Sequence, residues 1–225
     1  MATDNLALIR LLQLTSPSLP IGGYSYSQGI EWAVEAGWIC NADDLTAWLG
    51  DQLDNTLGCL EIPLLTRMCK ACRADDAAQL AAWCDELLAW RETAELRTEE
   101  RNRGRALAEL LIALKVPGAA AHRSILTQTQ LAGLAHAAEH WGITTEQLAL
   151  GYAWSWLENL VLAGVKLVPL GQTDGQRVLL RLGERLPEIV AHGLALPDTA
   201  IGASLPALAI ASSAHETQYT RLFRS

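Results

Sequence analysis

The chain has 225 residues, half of them apolar and 19% charged, with a formal net charge of -8. That length supports one well-buried core, the composition excludes a disordered chain, and the acidic balance argues against nucleic acid, whose phosphates need a basic face. Five cysteines in a chain too long to need staples suggest reduced thiols and a cytoplasmic setting. No basic-then-apolar leader is visible, and Lys166 and Pro169 break the apolar run from Leu160 to Leu170, so no membrane span is expected.

Residues 4–14 space Leu6, Ile9 and Leu12, with Leu8 and Leu11, three and four apart, which predicts a helix with Asp4 near its start. After a Pro/Gly-rich stretch, residues 27–36 read as a second helix, ended by Gly37. Asn41 caps a third, in which Leu45, Trp48, Leu49 and Leu53 share a face. Pro63 suits the first turn of a fourth, running to about Arg73, and either Asp75 or Asp76 caps a fifth. Residues 92–115 form the most polar segment. Its charges recur at four-residue spacing (Glu95 with Glu99, Arg97 with Arg101, Glu99 with Arg103), the pattern of a solvated face. A seventh helix is expected over 124–141. Thr144-Thr-Glu-Gln147 is a capping box opening an eighth that reaches about Val168. Residues 169–175 read as a turn, 176–192 as a ninth helix with Pro187 in its second half, and Leu205–Ala214 as a last one. No segment alternates as a strand does, which predicts an all-α fold: one globular domain over 1–225, with about ten helices and an N-terminal helix over 1–15. Residues 215–225 form an amphipathic tail, either tucked onto its own core or ordered by a partner.

The stretch Ser16-Pro-Ser-Leu-Pro20-Ile-Gly-Gly-Tyr24-Ser-Tyr-Ser-Gln-Gly-Ile-Glu31 is the most informative. Pro20 stiffens it, while Gly22 and Gly23 permit positive φ and close backbone approach. It is no P-loop, because a helix precedes it and no Lys-Ser/Thr follows the glycines. Nor is it a nucleophile elbow, which needs a strand before Ser25-Tyr-Ser27-Gln-Gly29. A rigid turn presenting Tyr24 and Glu31 as part of a docking face is what remains. Lys166 is read in two ways: it snorkels from an apolar helix end, or it completes that docking face in space. His136-Ala-Ala-Glu139-His140 matches an inverted zinc-protease pattern, but no third ligand is singled out, and surface or capping roles are the expectation. Cys69-Lys-Ala-Cys72 lacks both the strand of a redox motif and a second pair, so two half-buried thiols are expected. In the tail, arginines and aromatics mix as they do in interface anchors.

Taken together, three stretches resemble the UreF family of urease accessory proteins. These are Leu19 to Glu31; Pro169-Leu-Gly-Gln172 followed by Gly175-Gln176; and His215-Glu-Thr-Gln-Tyr-Thr-Arg-Leu-Phe-Arg-Ser225. The resemblance implies an all-helical, non-catalytic homodimer with no stably bound cofactor. Its partners would be a scaffold accessory protein (UreD, called UreH in some species) and the GTPase UreG, acting together on apo-urease while the complex handles nickel. It places the GTPase-docking surface at Tyr24, Glu31 and Lys166, and scaffold binding at Tyr219, Arg221, Leu222, Phe223 and Arg224. Pro20, Gly22, Gly23, Pro169 and Gly171 are the implied structural turns. Two departures stand out: Gln28 occupies a position where many members have His, and there is no His-rich tail, so neither a general metal ligand there nor nickel storage is implied.

Overall fold

In a computed structural model, residues 5–225 are described; Asp4, expected near the start of the first helix, lies outside them. The helices are α1 (Asn5–Thr15), α2 (Ile30–Glu35), α3 (Ala42–Gln52), α4 (Ile62–Arg73), α5 (Ala77–Trp90) and α6 (Ala94–Ala113). They continue with α7 (Arg123–Leu126), α8 (Gln130–His140), α9 (Thr145–Leu167), α10 (Gln172–Gly183), α11 (Leu186–Ala195) and α12 (Pro206–His215). Among the described residues there is no strand, and ten helices run ten residues or more, α2 and α7 being shorter. None of these helices is long and apolar enough to cross a membrane.

Local chemistry sets most boundaries. Asn41 accepts the N–H groups of Asp43 and Asp44, and Asp76, not Asp75, accepts that of Gln79. The Thr144–Gln147 capping box is present in both directions and opens α9. At 23 residues α9 spans about 35 Å. It is the axis of the molecule, packing against α1, α2, α3, α4, α8, α10 and α11. Its buried residues Leu148, Tyr152, Trp156, Leu157, Leu160 and Val161 face that shell on several sides.

Three expectations give way. The helix expected over 124–141 is two, because the Thr129 side chain accepts Ala132 N–H and starts α8 afresh. The helix expected over 176–192 is also two. Pro187 has no N–H to continue a helix and sits in the first turn of α11, while α10 begins at Gln172, so the turn is only Pro169–Gly171. Between α3 and α4 the chain never leaves helix: residues Leu53–Glu61 are π-helical and lead straight into Ile62.

The largest departure is α6. Two of its acids are not solvated: Glu99 and Glu100 are buried. Arg91, just after α5, lies between Glu61 (2.7 Å) and Glu100 (2.8 Å). Tyr152 donates to Glu61 at 2.6 Å, and Glu100 accepts Gln130 N–H at the start of α8 at 3.0 Å. Burial alone would lower the Arg91 guanidinium, but the two carboxylates drive it above its usual range, while burial and Glu61 push the Tyr152 phenol well up. The spacing that reads as a solvated face therefore places charges where α5, α6, α8 and α9 meet.

Removing the cation from such a network strands two buried carboxylates. Arg91→Ala is expected to cost about 3–5 kcal/mol in urea unfolding. Arg185→Ala, which removes the exposed pair to Asp54 at 2.6 Å, is expected to cost under about 1 kcal/mol. Equal losses for the two variants would contradict this assignment.

Candidate functional site

The turn between α1 and α2 is held by its own backbone. Leu19 N–H donates to Ser16 O (2.9 Å) and Ile21 N–H to Leu19 O (2.7 Å), across Pro20. Gly22 then takes φ +72° and opens one 3₁₀ turn over Gly23–Ser25. Gln28 is left-handed without being glycine (φ +48°), a backbone cost of about 1 kcal/mol. Its side chain offsets that: Nε2 donates to Glu99 (2.9 Å), and Oε1 accepts from the Trp156 indole (3.0 Å). Gly29 (φ +81°) follows and lets α12 close in, since a Cβ there would lie 3.1 Å from that of Ala211. The second turn is simpler. Pro169 leads into Gly171, which precedes α10 with extended backbone angles.

Beyond α12 the chain comes back to this first turn. Ser225 O accepts Ser27 N–H (2.6 Å), Ser27 Oγ–H (2.7 Å) and Gln28 N–H (3.1 Å), while Arg224 N–H donates to Ser25 O (2.8 Å). Ser225 Oγ donates to Glu99 at 2.9 Å. The centre of the junction is Glu31. One carboxylate oxygen accepts Leu222 N–H (2.5 Å) and the other Phe223 N–H (2.8 Å). Charge-assisted bonds from two successive backbone groups fix orientation as well as position. His215 lies fully buried between two acids, its Nε2 at 3.2 Å from Glu31 and its Nδ1 at 2.7 Å from Glu95. Arg221 reaches Glu95 at 2.8 Å. On the other side of the turn, Arg103 pairs with Glu99 at 2.9 Å; burial opposes its charge, yet Glu99 holds it above the usual range.

The expected residues therefore fall on two faces of one junction. Tyr24 is 64% exposed on the 3₁₀ turn. Lys166 is exposed near the end of α9, and its Nζ stands 5.9 Å from the Phe223 ring centroid, within cation–π range. Phe223 thus bridges Lys166 to Glu31. Glu31 itself is not held out to solvent, as the sequence reading had it, but is buried beneath the tail because its charge needs the tail's N–H groups. The tail is tucked onto the core on one side and open on the other: Phe223 and Ser225 are buried, whereas Tyr219, Arg221, Leu222 and Arg224 are exposed. The part that Ser27, Glu95, Glu99 and His215 play in the junction was not expected from the sequence. His215 stood inside a quoted stretch, and the two acids were hidden by a charge spacing that looks solvated.

A second cluster lies elsewhere, where α4, α8 and the loop before α7 enclose a cleft of about 440 Å³. His136 is buried rather than superficial, its Nε2 2.8 Å from Pro117 O. Its ring centroid is 4.6 Å from that of His140 and 5.7 Å from that of His122. Glu139 pairs with Arg73 at 3.4 Å. Among the described residues no group of three or more His, Cys, Asp or Glu is placed so that it could hold a metal ion. Burial raises the Cys69 and Cys72 thiols to about 11 and about 12, so both stay protonated and poorly nucleophilic.

The UreF family model matches residues 39–183. The chain is 56% identical over 222 residues to the urease accessory protein UreF of Pseudomonas putida (strain W619), covering 99% of each chain. It is 55% identical over 225 residues to that of Pseudomonas entomophila (strain L48), covering all of both. With that of Escherichia coli O157:H7 (strain EC4115 / EHEC) it shares 46% over 217 residues, 96% of this chain and 97% of the other. The family match lies between the two halves of the junction, and the full-length relatives extend across both. The chain belongs to the UreF family of urease accessory proteins.

Burial holds the His136 imidazole below its ordinary value of 6.5, a displacement that its bond to Pro117 only partly opposes. The unfolded chain then takes up a proton that the folded chain refuses, so stability falls as pH drops below 6.5 and levels off once the folded ring protonates. His136→Gln is expected to flatten that part of the stability–pH curve in urea melts; an unchanged slope would place the ring in water.

Proposed function

We propose that this member of the UreF family bridges a scaffold accessory protein, UreD or UreH, and the GTPase UreG, and regulates GTP-dependent delivery of nickel to apo-urease. In this reading the protein works in the cytoplasm by binding rather than by catalysis, nickel is the cargo of the complex, and no cofactor is held. What carries the proposal is the full-length identity to urease accessory proteins, 55% over all 225 residues in one case. The junction supplies surfaces suited to it. Tyr24 and Lys166 offer a ring and a cation to one partner, the GTPase. Tyr219, Leu222 and Arg224 offer the aromatic, aliphatic and guanidinium side chains that anchor interfaces to another, the scaffold. A homodimer is part of the proposal, with Leu8, Ile9 and Leu12 of α1 and Trp154 and Leu180 nearby as apolar surface to cover.

Glu31 enters this function through the tail. Its variants are expected to disturb both partner surfaces, whereas Lys166 stands over the face of Phe223. Co-expression with the scaffold and the GTPase, followed by purification on this chain, is expected to yield a three-component complex that activates apo-urease. Lys166→Ala should reduce GTPase recovery at least tenfold with scaffold binding intact, and deletion from Tyr219 onward should abolish scaffold binding while sparing helicity. Retention of both partners by both variants would overturn the site assignment, and failure of wild type to recover either partner would overturn the function.

A further inference from the structure

Arg103 belongs to one charge network and faces another. From α6 its Nη1 pairs with Glu99 at 2.9 Å, which ties it to the junction of turn and tail. Its side chain is only 11% exposed and its Nε is buried; among the described residues no acceptor meets that Nε–H. A buried guanidinium hydrogen without an acceptor forfeits a charge-assisted bond. The guanidinium also lines a cavity of about 10 Å³, together with Thr15 of α1, Gln130 of α8, and Tyr152, Ser155 and Trp156 of α9. Tyr152 is part of the second network, because its hydroxyl donates to Glu61, the partner of Arg91.

We infer that this cavity is a built site for one internal water molecule, which bridges Arg103 to Tyr152 and Thr15 and joins the two networks. Size admits a single occupant, since about 10 Å³ is room for one water centre. The hydrogen-bond inventory then selects water. Tyr152 gives its hydroxyl hydrogen to Glu61 (2.6 Å) and Thr15 gives its own to Leu11 O (3.0 Å), so towards the cavity both oxygens can only accept. Arg103 Nε–H can only donate. A water accepts from Arg103 and donates to the two hydroxyls, and so makes about three bonds, the usual number for an internal water. A halide would meet two lone-pair oxygens, and an ammonium would meet the guanidinium. The bridge completes a chain of polar contacts from Ser225 through Glu99 and Arg103 to Tyr152, Glu61 and Arg91. It also fixes the guanidinium plane, and with it the Nη1 that Glu99 receives beside Gln28 and Ser225.

The site does not depend on the function proposed above and is read on the isolated full-length chain. A crystal structure of the protein grown with bromide in place of chloride is expected to show density for one water in the cavity. That water should lie within hydrogen-bond distance of Arg103 Nε and of at least one of the Tyr152 and Thr15 hydroxyls, with no anomalous bromide peak. In solution, oxygen-17 relaxation dispersion is expected to count one long-lived water fewer in Thr15→Val, which keeps the side chain's shape but removes its lone pairs. Thr46→Val, which removes a hydroxyl bonded to Ala42 O away from the cavity, should keep the wild-type count. Both variants should keep the far-ultraviolet circular dichroism of wild type. A cavity without density, a bromide peak, a protein acceptor on Arg103 Nε, or equal water counts in wild type and Thr15→Val would each overturn the inference.

Discussion

A carboxylate buried near the start of a helix must be met by donors, and Glu31 finds them at the far end of the chain. Leu222 and Phe223 supply a backbone N–H to each oxygen, and His215 flanks the second. A hydrogen bond to a charged group contributes about 1.5–3 kcal/mol, and leaving such a charge buried without partners costs more than that. The tail is therefore part of the fold of the first turn. Backbone bonds between residues 25–28 and 224–225 run alongside this contact, so Tyr24, Glu31, Lys166 and Phe223 keep fixed relative positions.

The acids of α6 extend the same logic. Glu95 takes His215 and Arg221, Glu99 takes Gln28, Arg103 and Ser225, and Glu100 takes Arg91 and the first amide of α8. One helix thus ties the signature turn, the tail and two core helices together through ion pairs and hydrogen bonds to its carboxylates, contacts that would be weak on the surface and are consequential once desolvated. Its polarity is the polarity of a junction.

Apolar periodicity and caps made the helices legible, most clearly α9 with its Thr144 box and α3 with Asn41. Two boundaries were lost where a helical pattern runs on past a local event: the Thr129 cap competes quietly, and Pro187 reads as tolerable inside a helix when it begins one. Charge spacing misled at α6, because four-residue repeats of Glu and Arg look alike whether water or an opposite charge answers them. The candidate site was half legible. Tyr24, Lys166 and the tail aromatics could be picked out as single residues and by family resemblance. That Glu31 is paired with backbone groups almost two hundred residues away is a tertiary fact with no local signature.

The account stands on that long-range bond, and amide hydrogen exchange in the free protein reads it directly. It predicts that the Leu222 and Phe223 amides, in a segment without regular helix, exchange far more slowly than open chain, and that Glu31→Gln speeds them at least tenfold while core amides of α4 and α8 are unmoved. Exchange of both amides at open-chain rates in the wild-type protein would contradict it.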